Sequence, residues 1–152
     1  MTSDFAAEEI ADEILFLTGK AIREGHFEHF RVHFLLPQLI ETLSGSKLLQ
    51  TENDIRDIFD GVQSQMLKNK VVDIVRTIHS ADFIDTDTIG STHISSMIRA
   101  DGTPLSPAYP TYSILKRVSG EWKIASSRVV ILSGNKMDDV LIDPSPGGVS
   151  SS

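Results

Sequence analysis

The links between apolar runs after Lys70 limit what this chain can fold into. Residues 71–84 (VVDIVRTIHSADFI), 88–99 (TIGSTHISSMIR), 111–118 (TYSILKRV) and 122–132 (WKIASSRVVIL) are rich in β-branched residues or alternate in polarity, as strands do. They are joined by DTD, ADGTPLSPAYP and SG. Parallel neighbours need a connection of roughly a dozen residues or more, normally a helix. None of these links is that long, so the second half of the chain reads as an antiparallel meander. The hairpin over 71–99 is long and has to bend, and Gly90 is the expected site of a bend or bulge.

The first half has the other period. Ile10, Ile14, Leu17 and Ala21 fall on one face of a helix over 5–24, with Asp4 as N-cap and Gly25 as the residue that stops it. A short second helix is expected over HFEHFRVH to about Val32, after which Leu35, Leu36 and Pro37 break the pattern. Residues 38–43 and 46–50 read as two short strands joined at Ser44-Gly45. Thr51 starts a third helix over 52–69, with Asp54 completing a capping box. Its apolar stripe is Ile55, Ile58, Phe59, Val62 and Met66. Helices followed by an antiparallel sheet make an α+β fold, one domain over 1–132, with a flexible polar tail over 133–152.

Composition narrows the function classes. The net charge is −7, and no Lys/Arg run or basic–aromatic interleaving occurs, so no nucleic-acid partner is expected. With no cysteine, disulfides, thiolate catalysis and Cys-ligated metals are excluded. The acidic start, MTSDFAAEEIADE, lacks the basic and apolar regions of a secretory signal, and no apolar run is long enough to span a bilayer. The expectation is a cytoplasmic protein without a membrane partner.

Several strings resemble one family. GHFEHF (25–30) resembles the Gly–Asp–Phe–Glu-type entry into the short second helix of nuclear transport factor 2-like domains. ETLSGSKLLQT resembles the small hairpin before their third helix. Gly120-Glu121-Trp122-Lys123-Ile124 resembles their Gly-x-Trp-x-Ile at the last strand, and Thr92-His93 the Thr-His of the SnoaL-like branch. The resemblance, over about residues 5–132, implies a cone: a curved antiparallel sheet packed on three N-terminal helices around a pocket. It further implies a homodimer formed through the outer sheet face. SnoaL-like cyclases carry an acidic residue on the last strand, where this chain has Ser126, Ser127 and Arg128. The cyclase acid is therefore missing at the matching place.

Candidate chemistry centres on histidine. His26, His29 and His33 are spaced as one helical stripe, which makes a zinc set conceivable. No carboxylate joins the stripe, and the blander reading is that they flank a phenylalanine anchor of Phe27, Phe30 and Phe34. In the long hairpin, a turn centred on Thr86 pairs His79 with His93 and Asp73 with Arg99 on one face. That register predicts His93 and His79 as acid–base groups titrating near neutrality in an apolar pocket. Asp73 and Arg99 form a possible ion pair on that face, Tyr112 beside the cone mouth could orient a ligand carbonyl, and Arg128 could hold an anion, so these four are the expected ligand-binding groups. The alternatives for both histidines are an outer, partner-facing position or a role as hydrogen-bonded core groups. Two functions are carried forward. One is a small-molecule-binding domain acting as an isomerase, dehydratase or cyclase on an apolar carbonyl compound, without metal or organic cofactor. The other is a non-catalytic interaction module with a filled pocket.

Overall fold

The computed structural model describes residues 2–130, the side chains of 2–5 excepted. The expected tail over 133–152, and the end of the last expected strand, lie outside the described residues. The order is α1 (Thr2–Glu24), α2 (Phe27–Arg31), β1 (Phe34–Thr42), β2 (Gly45–Leu49), α3 (Glu52–Lys68), β3 (Val71–Asp85), β4 (Thr88–Arg99), β5 (Tyr109–Val118) and β6 (Glu121–Val129). The strands form one curved, unclosed sheet in the order β2-β1-β6-β5-β4-β3, against which the helices pack. The α+β class and the helix-then-sheet order are as expected. What local sequence gave no sign of is the parallel pairing of β1 with β6, which brings the small hairpin onto the far edge of the meander.

Local chemistry sets the helix ends. Helix α1 starts before Asp4, so that residue lies within it. It stops at Gly25, whose φ of 71° suits a residue without a Cβ. The amides of Gly25 and His26 close back on Ile22 and Ala21, the paired bonds of a Schellman stop. At α3 the Thr51 side chain accepts from the Asp54 amide, and the Asp54 carboxylate accepts from the amides of Gln50 and Thr51. Those backbone donors hold the Asp54 carboxyl below the usual carboxylate range.

β1 runs straight through Leu35, Leu36 and Pro37, where a break was expected. Proline has no N–H to give a ladder, and the β1–β6 register shifts between Phe34 and Leu39. Gln38 spans the irregularity: its side-chain amide donates to Leu35 O at 3.3 Å and to Ile124 O at 2.9 Å.

The long hairpin curves by a different device from the one expected. β3 has 15 residues and β4 has 12. Register shifts between Val71 and Asp73, Ile78 and Ser80, and Phe83 and Asp85 each place one extra residue on β3. The extra residues, Val72, His79 and Ile84, are all exposed. Gly90 sits in unshifted pairing with Asp82 and Ile114. Its missing side chain makes room for Tyr112, whose hydroxyl would collide with a Cβ there.

Two separate apolar clusters result. One joins Phe27, Phe30 and Phe59, with ring centroids 5.0–5.6 Å apart around Phe59, to the α3 stripe, Ile74, Met97 and Val129. The other joins Ala7, Ala11 and Ile14 of α1 to Ala81, Ile89, Leu115 and Ile124. Each buried large apolar side chain contributes about 1.5–3 kcal/mol. Thr51→Ala should lower stability by about 1 kcal/mol through loss of the α3 cap, seen as a lower urea midpoint with an unchanged denaturant slope.

Candidate functional site

Cross-strand register explains what lies between the two apolar clusters. Starting at the α3 end of the concave face, the first row is Arg76, Ser95 and Tyr109, on β3, β4 and β5. The next is Ile78, His93, Thr111 and Val129, and the one after is Ala81, Ser91, Ser113 and Ser127. Beyond that, Phe83, Ile89, Leu115 and Ile124 are apolar again. The two middle rows and the Arg76 row thus form a polar belt across the inside of the cone. Side chains of α1, α2 and α3, among them Ile14, Ile22, Phe30 and Val62, roof it. They enclose a cavity of about 170 Å³.

Much of this belt lacks protein partners. His93 is 8% exposed, and no described residue hydrogen-bonds to its imidazole. Burial, and secondly the Arg76 charge, push its pKa down to about 4. At pH 7 the ring is neutral, so it does not titrate near neutrality as the sequence suggested. Gln38 is 1% exposed, and its Oε1 is buried without a hydrogen-bond partner. The amide cannot be flipped to relieve this, because its Nε2 already faces two carbonyls. Tyr109 lines the cavity too. Burial raises its phenol pKa, and the nearby Arg76 charge partly opposes that.

Arg76 joins the sheet to α1. Its Nη2 donates to Leu15 O and to Thr18 Oγ1, each at 2.7 Å. As a whole residue it is half-buried, since it also borders a surface groove beside Asp12, Arg23 and Asp73. Its guanidinium is the desolvated part, and burial pulls its pKa down to about 10. Thr18 in turn donates to Ile14 O at 2.8 Å, so the contact is built on a satisfied hydroxyl.

Of the site residues expected from sequence, His93 alone lines the cavity. His79 does not pair with His93, whose partner is Ile78; the bulge leaves His79 exposed on the outer side. Asp73 pairs with Ile98 rather than Arg99, and its carboxylate lies 3.7 Å from Arg23 at the rim. Arg99 pairs with Val71, and its guanidinium reaches Leu105 O. Tyr112 is 41% exposed on the convex face, over Gly90. Arg128 lies on the outside beside Glu41 at 3.4 Å.

The opening histidines do not form a stripe. α2 spans only five residues, so His26 precedes it and His33 follows it. His26 and His29 stack edge to face at 5.0 Å, with Glu24 3.6 Å from His26. His33 is half-buried, with its pKa lowered by burial and by Lys123. Among the described residues no group of three potential ligands could hold a metal. The Phe27–Phe30 anchor carries the packing, as the blander reading expected.

Sequence reasoning passed over Arg76, Gln38 and Tyr109. Arg76 did carry a signal, as the one cation in the apolar run 71–84.

No family model and no curated protein matches this sequence. Solved structures do. A nuclear transport factor 2-like protein with a cystatin-like fold from Novosphingobium aromaticivorans aligns with a TM-score of 0.64 at 14% identity, covering 91% of this chain and 90% of its own. A domain of unknown function with a cystatin-like fold from Nostoc punctiforme gives 0.64 at 15%, over 89% and 83% of the two chains. A ketosteroid isomerase-like protein from Erwinia carotovora atroseptica gives 0.60 at 10%, over 83% and 96%. This chain has the nuclear transport factor 2-like, cystatin-like fold. Among the described residues no helix is long and apolar enough to cross a membrane.

The buried imidazole predicts a pH dependence. Unfolded His93 takes up a proton near the ordinary imidazole value of 6.5, whereas the folded form resists until about 4. Stability from this group is therefore present above about pH 6.5 and lost as pH falls toward 4. At about 1.4 kcal/mol per unit, the window is worth on the order of 3 kcal/mol. His93→Gln should flatten the fall in urea-unfolding free energy between those pH values. His33 adds a smaller slope of the same sign, which remains in the variant.

Proposed function

We propose that this protein is a SnoaL-like domain that binds a small molecule inside the cone and moves a proton on it. The observation that carries this reading is a neutral, unpartnered imidazole in a largely apolar cavity. A fixed acid–base group in a dry, mainly apolar cavity is what isomerisation, dehydration or cyclisation of a carbonyl compound needs. In this scheme His93 takes the proton from the carbon next to the carbonyl. Tyr109 donates a hydrogen bond to the carbonyl oxygen as that oxygen gains charge. An imidazole with a pKa near 4 is a weak base toward solvent. The transfer is favoured only as negative charge forms on the substrate oxygen beside the phenol and the Arg76 cation. No metal or organic cofactor enters the scheme.

The competing reading is a non-catalytic module with a filled cone. The cavity, with His93 on its wall rather than at the surface, favours the first. A homodimer through the outer sheet face fits either. That face carries Val75, Ile94, Tyr112 and Ile114, of which Val75 and Tyr112 are 46% and 41% exposed.

Incubating the protein in D2O with single-ring ketones and enones tests the chemistry. Proton NMR should show the protons beside the carbonyl exchanging faster than in buffer, and His93→Gln should lower that rate by about 100-fold. Exchange that is no faster than in buffer, or that survives the substitution, would remove His93 from the scheme.

A further inference from the structure

We propose that the occupant of this cavity is a single-ring organic acid: its carboxylate pairs with Arg76, and a hydroxyl or N–H on its ring donates to Gln38 Oε1. The inference rests on the reading of the cavity as a small-molecule site and names the class of molecule.

Arg76 is a cation without a counter-ion. Its contacts, Leu15 O and Thr18 Oγ1, are neutral. No described carboxylate forms an ion pair with it; Asp73, on the neighbouring groove, is engaged by Arg23. A buried charge is strongly disfavoured unless an opposite charge meets it. Guanidinium has five N–H donors, and the two on Nη2 are used on α1, which leaves the Nε and Nη1 N–H groups to donate to a carboxylate oxygen. The seat is also built into the helix. Gly19 lies inside α1, where alanine would favour the helix. A Cβ there would stand 3.0 Å from Arg76 Nη2. The helix forgoes a better former where the guanidinium rests against it.

Gln38 supplies the second contact. An acceptor buried without a donor is rare in native proteins, and here both Nε2 bonds fix which way the oxygen points. The residue lines the same cavity as Arg76, reached from β1 on the opposite side of the sheet from β3. A ligand with an anionic end and a donor end carries the partner that each of the two groups lacks. A neutral hydrocarbon satisfies neither, and a simple ketone leaves the Arg76 charge unmatched and gives Gln38 Oε1 no donor.

Size sets the rest. At about 170 Å³ the cavity is close to the roughly 150 Å³ apolar void that accepts benzene. Ile14, Ile22, Phe30 and Val62 offer the apolar surface a ring requires. One ring with a carboxylate fits this volume.

The test uses the whole chain and calorimetric titration. The acids are benzoate, 3-hydroxybenzoate and 4-hydroxybenzoate; the neutral counterparts are benzamide and benzyl alcohol. The His93 ring signal, followed by NMR, reports occupancy of the cavity. We expect the acids to bind at least about tenfold tighter than the neutral compounds, and one hydroxybenzoate to exceed benzoate. Arg76→Met should abolish the acid preference while leaving neutral compounds within about twofold, and the unliganded melting temperature should hold or rise because a buried charge is gone. Equal affinity for acids and neutral compounds, with the His93 signal shifting for both, would overturn the anion inference and leave the cavity reading standing. Retention of the acid preference in Arg76→Met would do the same. If no compound moves the His93 signal, the cavity reading fails and the inference with it. Should Arg76→Met not fold, the acid-against-amide comparison on the unaltered protein decides.

Discussion

A strand shows alternate side chains to opposite faces, so it can change which residues it presents only by gaining or losing one. β3 does this at His79. On the tip side of that residue, Ala81 and Phe83 face inward, opposite Ser91 and Ile89. On the base side the parity flips, and Ile78, Arg76 and Ile74 face inward in place of His79, Thr77 and Val75. Without the extra residue, an imidazole, a hydroxyl and a valine would stand where the concave face now has an isoleucine, a guanidinium and a second isoleucine. The polar belt, the shifted pKa of His93 and the seat on α1 all follow from that single step in register.

Arg76 and His93 are coupled through what they share. Both lose water on burial, and the fixed charge of Arg76 further discourages a second cation nearby. The result is a cavity that holds one positive charge and one neutral imidazole. Tyr109 stands in the Arg76 row, so a phenol, a guanidinium and an imidazole face the same space from adjacent strands. Acid–base chemistry on a carbonyl and recognition of an anion need just these kinds of groups. Apolar clusters lie on either side of this space.

The third constraint is the irregularity in the β1–β6 ladder. Proline there has no N–H to give, and the side-chain amide of the next residue donates across to Ile124 O of β6 and back to Leu35 O of β1. That repair leaves one oxygen pointing at nothing in the protein. A structural patch and a candidate ligand contact are thus the same side chain.

Local order was open to reading because it depends on neighbours in sequence. The stop at Gly25, the capping box of Thr51 and Asp54, the apolar stripe of α3 and the short hairpin links are all short-range chemistry, and the helix-then-meander order follows from them. His93 could be picked out because it lies on an alternating strand whose inward face is fixed by Ile89 and Met97. The companions of His93 were hidden. A bulge leaves no mark in composition, so His79 looked equivalent to its neighbours, and Tyr112 could not be told from Tyr109. Arg76, Gln38 and Tyr109 become one site only when β1, β3 and β5 curl around the same hollow, since contacts between them span dozens of residues. Sequence determined the elements and their order; only the register of the folded sheet decided which side chains were taken out of water together.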